Sequence, residues 1–156
     1  MLLALLIAAE VTGAPTANLS AFKPFVGSCW SAEFSATVSD THCFEELYGG
    51  AHIRDRHEVQ DGAKTIYAGE TTYSGDGPAL VFIYLNSLGG IGRGEVRRDG
   101  ATLRFTGTMR GSPDKAQQPI DSEWKIVDVD HYQVRSLVKS PSTGSNPTLT
   151  FARVKP

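Results

Sequence analysis

The sequence predicts an all-β protein, an antiparallel up-and-down β-barrel of about ten strands. Strand-length runs rich in Val, Ile, Thr, Tyr, Phe and Trp follow one another along the chain. Turn signals separate them at Ser39-Asp40, Gly49-Gly50, Asp61-Gly62, Gly75-Asp76-Gly77-Pro78, Gly89-Gly90, Asp99-Gly100 and Ser140-Pro141-Ser142-Thr143-Gly144. No segment keeps a 3.6-residue apolar period over several turns, so the crossover helices that a parallel sheet requires are missing. Ten hairpin-linked strands leave two open edges unless the sheet closes on itself, and closure removes both.

In chain order, residues 2–9 (LLALLIAA) are apolar but far short of the ~20 needed to span a bilayer, which argues against a transmembrane segment. Small residues follow at 11–17, the pattern of a secretory signal peptide over 1–17 and of a secreted or periplasmic protein. The single domain is then 18–156. Leu19 to Phe25 suits one helical turn stopped by Pro24. Strands are expected at 28–38, 42–48, 51–60, 65–73, 80–87, 91–97, 102–110, 122–129, 132–139 and 148–154. Trp30, Ala32, Phe34 and Ala36 share one face of the first, and Leu103, Phe105, Gly107 and Met109 share one face of the seventh. The fifth is apolar on both faces, so its outer side calls for a cover such as the second subunit of a homodimer.

Cys29 and Cys43 are either one disulfide, consistent with an oxidising compartment, or two semi-buried thiols. A turn centred on Ser39-Asp40 sets Cys43 opposite Ala36. A bulge, or a turn nearer Ala36, brings the two sulfurs together.

With 15 basic and 17 acidic residues, the net charge is -2 and the cations are scattered, so no nucleic-acid partner is expected. In the third strand, His52, Arg54, Arg56 and Glu58 alternate with Ile53, Asp55, His57 and Val59, and both faces carry ionisable groups. If the first set faces inward, Arg54 and Arg56 would hold an anionic ligand head or pair with Glu70 and Glu46. If the second does, Asp55 and His57 form a buried polar pair. Tyr67, Tyr73, Tyr84, Asn86 and Trp124 offer the rings and polar tips of a ligand cavity.

The ligand-binding candidates are therefore Trp30, His52, Arg54, Arg56, His57, Glu70, Tyr84, Asn86 and Trp124. His42, His52, His57 and Asp55 lack the spacing of a metal motif, and no metal is expected. Gly89 to Gly94 resembles a phosphate loop in composition only, since a strand follows it; a hairpin turn and a bulge are the better reading. There is no nucleophile elbow, and no catalytic residue is assigned.

The opening Leu19-x-x-Phe22-x-x-Phe25-Val26-Gly27-x-x-Trp30 and the closing Leu149-Thr150-Phe151-Ala152-Arg153 resemble the calycin barrels, the group of lipocalins, fatty-acid-binding proteins and nitrobindin-like domains. The stretches from Tyr48 to Val59 and from Tyr67 to Tyr73 are similar to those of uncharacterised bacterial members. The resemblance covers 19–154 and implies a calycin-like barrel in which Arg153 covers Trp30. No His follows His131, so the haem of nitrobindin-like proteins is not carried over and no cofactor is expected. The expected function is non-catalytic binding of a small, mostly apolar or amphipathic ligand, with or without an anionic head. The alternatives are a barrel isomerase or hydrolase using His57 or His52 as acid/base, and a structural or assembly module.

Overall fold

Each apolar run pairs with the next along the chain, and the last returns to the first. The structure, a computed structural model, describes residues 18–139 and 146–154; the expected signal peptide and the turn at 140–144 lie outside them. The strands are β1 (Ser28–Glu33), β2 (Val38–Leu47), β3 (His52–Asp61), β4 (Lys64–Asp76), β5 (Ala79–Asn86), β6 (Ile91–Asp99), β7 (Thr102–Arg110), β8 (Gln118–Ile126), β9 (His131–Ser136) and β10 (Thr148–Arg153). All pairings are antiparallel, and β10 against β1 closes a ten-stranded barrel. Among the described residues, no helix is long and apolar enough to cross a membrane.

One end of the barrel is plugged. A 3-10 turn at Leu19–Phe22 is capped by Asn18, whose side-chain oxygen accepts the Ser20 N–H at 2.9 Å. It drops Phe22 onto Tyr73, ring centres 4.1 Å apart. Phe25 follows, meeting Tyr132 at 5.0 Å, Phe44 at 5.1 Å and Trp30 at 5.8 Å. Edge-on and offset ring contacts add ~0.5–1.5 kcal/mol per pair beyond the area they bury. This aromatic packing makes the plugged half of the interior solid.

The first turn is not where Ser39-Asp40 suggested. β1 stops at Glu33, the Phe34 N–H donates to the Val38 carbonyl, and Ser35 Oγ accepts the amides of Thr37 and Val38. Phe34, expected inside, is 45% exposed beyond the strand end. Ser39 and Asp40 are strand residues, and the shift sets Cys29 directly opposite Cys43, where they form a disulfide. β8 also moves: it begins at Gln118, with Pro119 inside the strand, and Val127 and Val129 fall in the exposed turn after it. On β5 the outer side chains of Ile83 and Leu85 stay 54% and 53% exposed in the single chain.

Candidate functional site

Register decides which side chains share the lumen. One cross-barrel row reads Phe44, Asp55, Thr71, Tyr84, Gly92 and Met109, each directly opposite the next. Its neighbour toward the unplugged end reads His42, His57, Gly69 and Asn86. Since Phe44 and Asp55 are buried, both rows face inward. The second alternative for the third strand is therefore the one realised, and Ile53, Asp55 and His57 point into the barrel.

His52, Arg54, Arg56 and Glu70, candidates for the cavity, stand on the outer face instead. Arg54 is held by Glu45 on β2, its Nε donating to Oε1 at 2.8 Å, with Glu70 4.0 Å away. Glu45 Oε1 also lies 3.4 Å from Arg56 Nε. The Glu45 hydrogen bond raises the Arg54 pKa further. Glu46, the other expected partner, sits exposed beside the plug and lines a cavity of about 620 Å³ there with Asn18 and Lys23. His52 hydrogen-bonds Ser74 Oγ at 2.6 Å. Charged groups turn outward here because solvent offsets a desolvation cost that two lumenal guanidiniums would bear.

Inside, four ionisable side chains from two adjacent strands meet. His42 Nδ1 lies 2.8 and 3.0 Å from the two oxygens of Asp55, and its Nε2 lies 3.3 Å from Asp40 Oδ2. Asp40 Oδ1 is 3.1 Å from His57 Nδ1, and His57 Nε2 is 3.0 Å from the Tyr84 hydroxyl. The Tyr84 and Tyr67 hydroxyls are 2.5 Å apart. Gly69 makes room for this chain, since a Cβ there would come within 2.5 Å of both His57 Nε2 and the Tyr84 hydroxyl.

A carboxylate only accepts, so a ring nitrogen facing one must carry the proton. His42 faces a carboxylate with each nitrogen and is held as imidazolium. Burial opposes that charge, but Asp55 and Asp40 outweigh it and raise its pKa to about 10. Asp40 is likewise subject to desolvation, yet its hydrogen bonds to His42 and His57 bring it down to about 2. Burial, with the Tyr67 hydrogen bond, pushes Tyr84 up. Tyr73, fully buried beside Asp55, is also pushed up, chiefly by burial.

Asp55 is sealed, whereas the side chains of Asp40, His42 and His57 keep 10–13% exposure. The cluster is thus the floor of an accessible mouth. Half-buried Tyr84, Ile120, Val134 and Leu149 pack against the core there, and Tyr67 and Met109 extend the same inward face.

The remaining expected residues divide. Trp30 is core: its Nε1 donates to the Phe25 carbonyl at 3.3 Å, and the Arg153 guanidinium lies 4.2 Å over its ring. Trp124 packs on Phe105 at 4.6 Å and edges against His42 at 6.0 Å. Asn86 organises the turn into β6, accepting the Leu88 and Gly90 amides and donating to the Gly111 carbonyl. Tyr67, expected among the cavity rings, joins the site through Tyr84, and Asp40 joins it without having been a candidate. The signal that would have found Asp40 is the cysteine pair, because setting Cys29 opposite Cys43 places Asp40 on the face of His42 and Phe44. A cavity of about 720 Å³ touches His57, Gly69 and Asn86 of the inward row and runs over β2–β5 past Arg56, Glu70 and Leu85.

No family model and no curated protein matches the sequence. Among solved structures, the barrel is similar to the one titled "Crystal Structure of Rv2717c from M. tuberculosis", with a TM-score of 0.60 over 88% of this chain and 97% of that chain. At 12% identity, what the two share is the fold, and the chain is a closed ten-stranded antiparallel barrel of that kind.

Proposed function

We propose that the protein is an exported, calycin-like barrel that binds a small, mostly apolar molecule in the unplugged mouth of its lumen without transforming it. One observation carries this reading: a hydrogen-bonded polar cluster with 10–13% side-chain exposure lies at the floor of a mouth walled by half-buried apolar groups. An apolar body would lie on Ile120, Val134 and Leu149, and a polar head would reach Tyr67, Tyr84 and Asp40. With Arg54 and Arg56 on the outer face, nothing in the mouth favours a carboxylate head. Two aspartates against one imidazolium favour a hydroxyl or an amine. Export rests on the apolar run at 2–9 and on the Cys29–Cys43 disulfide, which persists in an oxidising compartment.

Competition for Nile red tests the reading. Dodecanol and dodecylamine are expected to displace the dye and dodecanoic acid to do so more weakly. Ile120→Trp should abolish dye binding while Ile83→Trp on the outer face leaves it intact. Dye binding unaffected by Ile120→Trp would move the site out of the lumen.

The enzyme alternative has one observation behind it, the carboxylate–imidazole–hydroxyl series Asp40–His57–Tyr84. Turnover of a bound ester lost in His57→Gln would favour it.

A further inference from the structure

We propose that Asp40, His42 and His57 form a binding site for a borderline divalent cation of the Zn²⁺ type at the floor of the lumen, with Asp55 and Tyr84 orienting the two imidazoles. The donor set comes from the closing of the barrel and not from a sequence motif: His42 and His57 are directly opposed across β2 and β3, and Asp40 precedes His42 on the same inward face. Their ligating atoms all lie within 4.8 Å of one another.

The spacings are those of a coordination shell. Zn–N and Zn–O bonds of ~2.0–2.2 Å in a tetrahedron put neighbouring donors about 3.3 Å apart. His42 Nε2 lies 3.3 Å from Asp40 Oδ2 and His57 Nδ1 lies 3.1 Å from Asp40 Oδ1, so a metal between the rings is met by this carboxylate through both oxygens or, after a small rotation, through one. The two imidazoles, stacked with ring centres 4.8 Å apart, need only tilt toward each other to complete the third edge.

The outer partners suit a metal as well. Metal-bound imidazoles characteristically give their second nitrogen to a carboxylate or a hydroxyl, which fixes the ring and its tautomer. Asp55 takes His42 Nδ1 at 2.8 Å, and Tyr84 takes His57 Nε2 at 3.0 Å, so each imidazole has its other nitrogen aimed at Asp40. A cation entering here displaces the Nε2 proton of the His42 imidazolium to solvent, and the freed lone pair and a carboxylate oxygen of Asp40 then both face the metal. Two nitrogens and one oxygen favour Zn²⁺, Co²⁺, Ni²⁺ or Cu²⁺ over Mg²⁺ or Ca²⁺, which prefer all-oxygen shells. Three protein donors leave a fourth position, and the residual exposure of the cluster puts it in the lumen, where water or a small anion would complete the shell.

The experiment uses untagged, chelator-treated protein titrated with Co²⁺ and Zn²⁺. One Co²⁺ per chain with the intense visible absorption of a four-coordinate ion, displaced by Zn²⁺, is expected. His57→Ala and Asp40→Asn should abolish it, Asp55→Asn should weaken it roughly 10–100-fold by freeing the His42 ring, and His131→Ala should change nothing. Imidazole nitrogen resonances of the unmodified protein keep the test independent of any variant's folding: those of His42 and His57 should shift on Zn²⁺ addition while those of His52 and His131 do not. Absence of stoichiometric binding, binding that survives Asp40→Asn, or unmoved His42 and His57 resonances overturns the proposal. Nile red competition reads the apolar walls and is scored separately, so either reading can fail without the other.

Discussion

At the scale of single residues, the cluster shows why a buried charge needs partners already in place. A lone imidazolium at the centre of a barrel would lose its proton to desolvation. His42 keeps it because Asp55 and Asp40 bracket the ring, with His57, Trp124 and Phe151 around them excluding water. A folded-state pKa raised from 6.5 to about 10 means that the folded, metal-free chain holds this proton more tightly than the unfolded one. The resulting stabilisation is full below pH 6.5 and is lost as the pH rises through about 10. The unfolding free energy of the metal-free protein, followed in urea, is therefore expected to fall over that range by an amount on the order of a few kcal/mol. His42→Gln should flatten the profile, and a flat profile in the unmodified protein would mean that the ring is neutral. Asp40 works with the opposite sign: its contribution is present above pH 3.8 and is lost as the pH falls toward 2. The elevated tyrosines begin to lose their own contribution only above pH 10.0, so the fall below that pH belongs to the imidazole. Asp40 was hard to recognise because Ser-Asp reads locally as a turn, and only the long-range pairing of Cys29 with Cys43 says otherwise.

At the scale of strands, alternation told where elements lie better than which way they face. The regions of all ten strands could be read from turn residues and apolar spacing, since Gly in Asp61-Gly62 and Asp99-Gly100 takes the positive φ that a tight turn needs. Direction was ambiguous in β3, whose two faces carry Arg54 and Arg56 or Asp55 and His57. Charge type decides nothing there; the cross-strand neighbours do, Phe44 opposite Asp55 and Tyr73 opposite Ile53 marking the inside. The glycines of β6 posed the same difficulty. Gly92 and Gly94 were expected in a turn and a bulge, but they sit in regular pairing, and Gly94 directly opposes Gly107 of β7. A Cβ on Gly94 would run into the Thr106 carbonyl oxygen, the Gly107 Cα and the ring of Phe82. Two of those three are backbone and cannot rotate away, so Gly94→Ala is expected to cost about 3 kcal/mol. Gly111→Ala, where a Cβ would meet nothing within 4 Å, should stay within about 0.5 kcal/mol of the parent. Denaturant unfolding of the two variants checks the contrast, and equal stabilities would mean that β6 and β7 can slide apart freely.

At the scale of the whole molecule, closure is the step with the least local support. β2 and β3 pair at ten positions, whereas β1 and β10 pair at two, Trp30 with Arg153 and Ser31 with Ala152. So short a ladder needs other ties, and Arg153 supplies them. Its guanidinium donates to the Val129 carbonyl at 2.8 Å and the Pro24 carbonyl at 3.2 Å, reaches Ser28 Oγ, and lies over the Trp30 ring at 4.2 Å. One side chain thus joins the plug, the first strand, the turn after β8 and the last strand. A planar fork suits this where an ammonium does not, because the three donors of an ammonium radiate from a single nitrogen and it offers no flat face to Trp30. Arg153→Lys keeps the charge and is expected to lose roughly 2 kcal/mol, the scale of hydrogen bonds from a charged donor. The loss should be local before it is global. Hydrogen exchange at Ser31 and Ala152 is expected to accelerate well ahead of exchange at Arg54 and Thr72 in the β3–β4 ladder, because the seam opens as its own unit. Uniform acceleration throughout the barrel would assign Arg153 to general packing, and unchanged exchange at Ser31 would show that the two-position ladder closes the barrel unaided.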